Sequence, residues 1–320
     1  MTAPRAVGVR LPYDAVPPPV RAWVDHALGS PVVAVAEQVG GMSPGCATRL
    51  VCADGTRAFV KAVGGSLNPD TPGLFRREVG VLEHLGEHPL WARMLASYDD
   101  GDWVALLIED VEGRHPDFSD PAELASVLDG TERLSEVLQA RGLPGGVRLV
   151  DIADRFRTWA DTLASLPEAP GATPVPDWLR PDPHRWADLL RQHAAHPMPH
   201  LVHWDIRVDN LIRRTGGELV FVDWGMAARG PAWVDPLLAR MEQVEQPAFD
   251  ASTTSSPALT AAGDELVTAF LAGFAAHLAV RSTVAVDLNL PTLNEFRVRE
   301  SRRMMAAVAR RTGRPHVGGA

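Results

Sequence analysis

Residues 201–225 read LVHWDIRVDNLIRRTGGELVFVDWG. The stretch opens on His203-Trp204-Asp205, reaches Asn210 five residues after Asp205, and closes on Asp223-Trp224-Gly225 thirteen residues after Asn210. Two short runs between these polar points, Leu211–Arg214 and Glu218–Val222, flank Gly216-Gly217. That pattern signals two strands joined by a tight turn. A hairpin brings Asn210, at the entry of one strand, close to Asp223, at the exit of the other. Mg²⁺ takes hard oxygen ligands, keeps several waters and is completed by phosphate oxygens, so these two side chains are a candidate metal pair. Asp205 is a candidate carboxylate for orienting a hydroxyl and taking its proton. Gly225 is expected to let the chain turn away after Asp223 without a Cβ clash.

Upstream, Val32–Val39, Cys46–Cys52 and Arg57–Val63 read as strands. Asp54-Gly55 joins the last two as a hairpin, and residues 40–45 (GGMSPG) lie between the first two. This turn is neither G-x-G-x-x-G nor a Walker A loop. Its backbone N–H groups can nevertheless face phosphate oxygens, which makes Gly41 and Ser43 candidate phosphate contacts. Lys61 falls inside the third strand. Residues 73–85 then read as a helix, with Phe75, Val79 and Leu82 on one apolar stripe. Glu78 sits on or beside that stripe and needs a partner there, because a buried unpaired charge is costly. Lys61 is the candidate partner, and Glu83 is a competing carboxylate. Arg93–Tyr98 and Trp103–Ile108 complete five strands and one helix by residue 108.

Glu109–Gly113 (EDVEG) is polar and ends on glycine, which suits a hinge. By position alone, Glu109 and Val111 would offer backbone carbonyl and amide groups to a purine ring. Beyond the hinge the pattern turns helical over 121–140, 151–166 and 178–194, with Pro167–Pro176 a proline-rich loop. Further helices are expected over 232–244, 259–279 and 293–311. The resulting expectation is an α+β, bilobal chain: a small antiparallel five-stranded lobe with one helix, then a larger, mainly helical lobe.

Composition agrees with a folded chain of this size. The 320 residues are 46 % hydrophobic and 22 % charged, enough for a core in one bilobal unit or two domains. A net charge of −9 argues against a nucleic-acid partner and does not repel a cationic substrate. Glu242, Glu245 and Asp250 could form an acidic wall or a solvated helix face, and the arginines of 297–311 could pair with neighbouring acids. Cys46 and Cys52 have no metal-binding spacing and read as small buried residues. Trp159, Trp178 and Trp186 are expected in the core rather than in an aromatic cage. Residues 1–19 lack an apolar stretch of signal-peptide length, and no run of eighteen apolar residues occurs. No membrane partner and a cytoplasmic location are therefore expected.

The pattern His-x-Asp-x-x-x-x-Asn followed by Asp-x-Gly, together with Lys61 and Glu78, resembles protein-kinase-like enzymes. The wording HWDIRVDN and FVDWG resembles their small-molecule branch, the aminoglycoside phosphotransferase and choline kinase-like family. No Ala-Pro-Glu follows Asp223, which speaks against a protein kinase. The resemblance implies a protein-kinase-like fold with a nucleotide-binding lobe over 1–108, a hinge over 109–113 and a catalytic and substrate-binding lobe over 114–320. It implies transfer of the γ-phosphate of ATP or GTP to a hydroxyl of a small molecule. Lys61, oriented by Glu78, would hold phosphates, Asp205 would orient the acceptor, and Asn210 and Asp223 would hold Mg²⁺. His203 and Asp235 would support the catalytic loop. Arg207 would place a cation near the transferred phosphate or simply pair with Asp209, and Trp204 and Arg207 are both expected beside the reacting group. The acceptor could be an antibiotic in a resistance role, or a sugar, choline or amino alcohol in metabolism. A nucleotide-binding pseudokinase is the reading from another class.

Overall fold

The computed structural model describes residues 10–38, 43–166, 175, 183–284 and 292–314. Gly41 and Trp178 lie outside them. Among the described residues a 3-10 turn (Tyr13–Ala15) is followed by helix α1 (Pro18–Leu28) and strands β1 (Val32–Glu37), β2 (Cys46–Cys52) and β3 (Arg57–Gly64). Helix α2 (Thr71–Leu85) and strands β4 (Met94–Asp99) and β5 (Trp103–Ile108) follow. The five strands form one antiparallel sheet in the order β1-β2-β3-β5-β4. Alternation along β3 decides its two faces. Ala58, Val60 and Ala62 join Val20 and Val24 of α1 in one core. Val63 joins Phe75 and Leu82 of α2 in another, so Lys61, two residues before Val63, faces α2. Gly45, just before β2, has no room for a side chain, because a Cβ there would come within 2.4 Å of the Ala62 carbonyl oxygen.

The second half is mainly helical. It contains β6 (Gly113–Arg114), α3 (Pro121–Arg141), β7 (Val150–Asp151), α4 (Ile152–Ser165), α5 (Pro183–Ala194) and β8 (His200–Val202). Then come β9 (Leu211–Arg214), β10 (Leu219–Phe221), β11 (Ala228–Gly230), α6 (Val234–Arg240), α7 (Pro247–Ser255), α8 (Pro257–Ala262), α9 (Asp264–Arg281) and α10 (Leu293–Arg311). The expected hairpin is β9–β10, and β6 extends it into a three-stranded sheet. A second small sheet, β7-β11-β8, brackets residues 203–227. The single helix expected over 259–279 is broken: Gly263, at φ 92°, separates α8 from α9. A left-handed residue ends a helix, and glycine adopts that conformation without strain.

α9 is buried along most of its length and packs against α4, α5 and α10. Trp159 and Trp186 belong to this core, and Cys46 and Cys52 are free and buried, as expected for all four. No helix among the described residues is long and apolar enough to cross a membrane.

His277, in the last turns of α9, carries a testable cost. Burial, together with the charges of Arg155, Arg281 and Arg297, pushes its imidazole down to about 4. The unfolded chain therefore takes up the proton first. Stability is full above about pH 6.5 and falls as the pH drops towards 4, by up to about 3 kcal/mol. Urea unfolding at pH 7 and pH 5 should show this loss in the parent, and His277→Gln should remove most of it.

Candidate active site

Three segments far apart in sequence meet at Lys61. Its Nζ is hydrogen-bonded to Glu78 Oε2 of α2 and, at 2.8 Å, to Asp223 Oδ1 beyond β10. Glu83, the competing carboxylate, is exposed and takes no part. Glu78 is fully buried and also accepts the Trp224 backbone N–H at 3.3 Å. Burial pushes the Glu78 carboxyl up, with Lys61 opposing. Burial likewise works against the charge on Lys61, but Asp223 and Glu78 outweigh it and hold its pKa above the usual value. Lys61 in turn lowers Asp223 to about 2 against the cost of desolvation. With its side chain 46 % exposed, Asp223 is an ionised carboxylate open to the cleft.

The catalytic stretch is built from the backbone outward. Asp235, at the start of α6, is fully buried and accepts the N–H groups of His203 (2.7 Å) and Trp204 (2.9 Å). Trp204 has φ 65°, a left-handed conformation that a bulky residue adopts only when its surroundings hold it there. Burial lowers the His203 pKa, so the ring is neutral. Its Nε2 donates to the Val222 carbonyl at 3.1 Å, which leaves Nδ1 to accept the Asp205 N–H at 3.3 Å. His203 thus joins the Asp205 loop to the strand that delivers Asp223.

Asp205 is three-quarters buried, and burial pushes its carboxyl up, while Arg207 opposes this. Asn210 donates its side-chain amide to both the carbonyl and Oδ2 of Asp205, each at 2.9 Å. These two acceptors orient the amide, so Asn210 Oδ1 is left without a donor among the described residues. Arg207 Nε lies 3.4 Å from Asp205 Oδ1, and its Nη2 lies 3.3 Å from Asp209. Arg207 thus pairs with Asp209 and also lies beside Asp205. Trp204 does not stand there. Its ring stacks on Trp159 (6.1 Å) and meets Phe270 edge-on, anchoring the loop in the helical core.

Gly225 also departs from expectation. Its φ is not left-handed, and a Cβ there would meet Leu74 at an ordinary 3.5 Å. The turn is made by Asp223 itself, at φ 67°. Trp224 then fills the space between Trp91 and His203, and Arg77 of α2 holds the Gly225 carbonyl at 2.7 Å.

Ser43 Oγ accepts the Gly45 N–H at 3.4 Å, in a tight turn at the sheet entrance. At residues 109–111 the backbone is half used. The Glu109 N–H donates to the Arg93 carbonyl at 2.8 Å, and the Val111 carbonyl accepts from Arg49 at 3.3 Å. The Glu109 carbonyl and the Val111 N–H have no partner among the described residues. Phe59, which the sequence reading passed over, shares the Lys61 face of β3 and pairs across the sheet with Ile108, one residue before Glu109. Period-two alternation back from Lys61 was the signal for it.

Asn210 Oδ1 and the second carboxylate oxygen of Asp223 are hard-oxygen donors of the kind Mg²⁺ takes. Among the described residues, no three His, Cys, Asp or Glu side chains are grouped to hold a metal. The pair fits an ion that takes its remaining ligands from water and phosphate.

Residues 53–277 match the model of the phosphotransferase enzyme family, APH. The chain belongs to that family. No curated protein matches it. Solved structures resemble this phosphotransferase in fold. Choline kinase LicA from Streptococcus pneumoniae has a TM-score of 0.60 at 15 % identity, covering 91 % of this chain and 98 % of that one. A thermostable mutant of aminoglycoside phosphotransferase APH(4)-Ia, a ternary complex with ADP and hygromycin B, has a TM-score of 0.56 at 15 % identity, covering 94 % and 99 %. The GDP and kanamycin complex of APH(2")-IIIa has a TM-score of 0.52 at 13 % identity, covering 88 % and 94 %. The bilobal α+β expectation and the family resemblance both hold.

Proposed function

We propose that this phosphotransferase moves the γ-phosphoryl group of Mg-ATP to a hydroxyl of a small molecule. The observation that carries the reading is a pair of polar groups, Glu78–Lys61–Asp223, which ties the sheet lobe to the segment after β10, and Asp205–Asn210 on the loop before β9. Lys61 binds phosphate oxygens, with Glu78 fixing its position. Asn210 and Asp223 hold Mg²⁺, which when bound offsets charge on the phosphates. Ser43 stands in the turn that faces the phosphates. Asp205 orients the acceptor hydroxyl and takes its proton as the new O–P bond forms and the bond to the ADP oxygen breaks. Arg207 holds the Asp205 carboxylate and places positive charge beside the moving phosphoryl group.

The two lobes meet at a hinge over 109–113. Arg49 and Arg57 tie the sheet to Asp110, and Arg214 of the hairpin pairs with Glu109 at 2.6 Å. The free Glu109 carbonyl and Val111 N–H match the neighbouring donor and acceptor of adenine, N6–H and N1, with Phe59 over the ring. Guanine presents the reverse pattern and would need the Val111 carbonyl, which Arg49 occupies. ATP is therefore the expected donor, with a KM about tenfold or more below that for GTP, since an unmatched buried polar pair costs 1 kcal/mol or more. Equal KM values, or a GTP preference, would overturn the base assignment.

Solved relatives in fold carry hygromycin B and kanamycin, which supports an antibiotic acceptor in a resistance role, while the choline kinase supports a metabolite. Mass spectrometry of an acceptor panel incubated with ATP tests the assignment. One added phosphate on any member supports transfer. Nucleotide binding without turnover across the panel would favour a pseudokinase instead.

A further inference from the structure

Charge is unevenly matched across the helical lobe. Glu245 and Asp250 are met by Arg303, Arg310 and Arg311 of α10. Near the other end of α10, three guanidiniums converge with no carboxylate partner. Helix register brings them together. α5 runs antiparallel to α4, since Arg157 donates to the Ala194 carbonyl at 3.0 Å and Arg191 pairs with Asp161 at 3.0 Å. α5 runs parallel to α9, since Arg185 pairs with Glu265 and Leu190 lies against Gly273. α4 and α9 are therefore antiparallel, and they touch where a Cβ on Gly273 would come 3.1 Å from the Trp159 Cβ. One turn back along α4 and one turn on along α9, Arg155 comes over His277. Arg281 follows His277 at i+4 on the same side. α10 returns alongside, with Ser301 donating to the Ala275 carbonyl at 2.8 Å and Arg297 to the Arg281 carbonyl at 3.1 Å.

Arg155, Arg281 and Arg297 have no carboxylate partner among the described residues. Arg297 donates to neutral oxygens, the Arg281 carbonyl and, at 2.9 Å, Asn294 Oδ1. Arg155 and Arg281 are exposed. The acids close to them in sequence are engaged or turned away. Asp151 pairs with Arg229, Asp154 with Arg157, and Glu300 with Arg299 and Arg303. Glu295, two residues before Arg297, lies on the opposite side of α10, in the groove lined by Arg299 and Arg302. The charges that act on the half-buried His277 are all positive, and its ring makes no hydrogen bond among the described residues. Like charges gathered in this way repel one another until a counter-charge arrives.

We propose that Arg155, His277, Arg281 and Arg297 form a binding site for a phosphate dianion, free or as a monoester, on the helical lobe and apart from the cleft. Guanidinium groups bind phosphate oxygens through paired N–H donors, and the imidazole N–H adds a further donor. No hydrogen bond or ion pair among the described residues links these four to Lys61, Asp205 or Asp223, so the site stands independently of the phosphotransferase reading.

The test is isothermal titration of the full chain, at fixed ionic strength, with inorganic phosphate and with glycerol 3-phosphate, each with and without Mg-ADP. One saturable binding event should survive Mg-ADP, and the tighter of the two probes tells free phosphate from an ester. Arg155→Gln and Arg297→Gln should each raise the Kd about tenfold, the loss of one charged hydrogen bond. Arg155 is exposed, so its variant keeps the test valid even where losing the Arg297 bond loosens α10. Arg302→Gln, at an exposed arginine of α10 outside the cluster, should leave the Kd unchanged. Nuclear magnetic resonance should show the His277 titration midpoint moving up when phosphate is bound, because an anion favours the charged imidazole. No saturable binding, binding abolished by Mg-ADP, an equal effect of Arg302→Gln, or an unmoved His277 midpoint would each overturn the site.

Discussion

Asp205→Asn is expected to lower kcat by about 10²–10⁴-fold while Mg-ATP still binds, the range that removal of a positioned base produces. The substitution keeps the size of the side chain and removes its capacity to take a proton. The fold should tolerate it, because Asp205 sits in a loop whose backbone is fixed by His203 and Asp235 rather than by its own carboxylate. Burial already pushes that carboxyl up, so its charge is not what stabilises the protein. The melting temperature should stay within about 2 °C of the parent. The two readouts are ATP-dependent turnover of an accepted substrate and the thermal shift caused by Mg-ATP. More than a tenth of parental turnover in the variant would sink the assignment of Asp205 as the base.

Lys61→Met should have the largest effect on stability. It leaves Glu78, fully buried, with only the Trp224 N–H as a donor. Breaking a buried ion pair from one side costs about 3–5 kcal/mol. The loss should depend on pH in a definite direction. A buried carboxyl with a raised pKa holds its proton in the folded state after the unfolded chain has released it. Its favourable contribution is complete below the unfolded value near 4.5 and is lost as the pH rises through the folded value. The variant should thus unfold more readily at pH 8 than at pH 5. Adding Glu78→Gln should restore most of the lost stability and none of the nucleotide affinity. Urea unfolding at both pH values checks this; equal losses at the two pH values would show that Glu78 is not left charged.

Much of the site was legible because its signals are local. Period-two alternation aims Lys61 towards α2, and a helical stripe places Glu78 on the facing side. Gly216-Gly217 closes the hairpin that brings Asn210 near Asp223. Each inference needed only a few neighbouring residues. What stayed hidden depends on partners distant in the chain. Trp204 follows His203 in sequence, but its ring direction is set by Trp159 and Phe270 together with the two N–H groups held by Asp235. Asp223 takes the left-handed turn that Gly225 was expected to serve, and Lys61, 162 positions away, holds its carboxylate there. The acids of 245–250 could be read as a cation surface or a solvated helix face, and α10 brings Arg303, Arg310 and Arg311 against them. The sequence by itself determined the fold, the family and the class of enzyme, because those reside in short-range pattern and spacing. The tertiary structure alone decided side-chain direction, backbone strain and the local sign of charge, because these are sums over groups that only folding brings together.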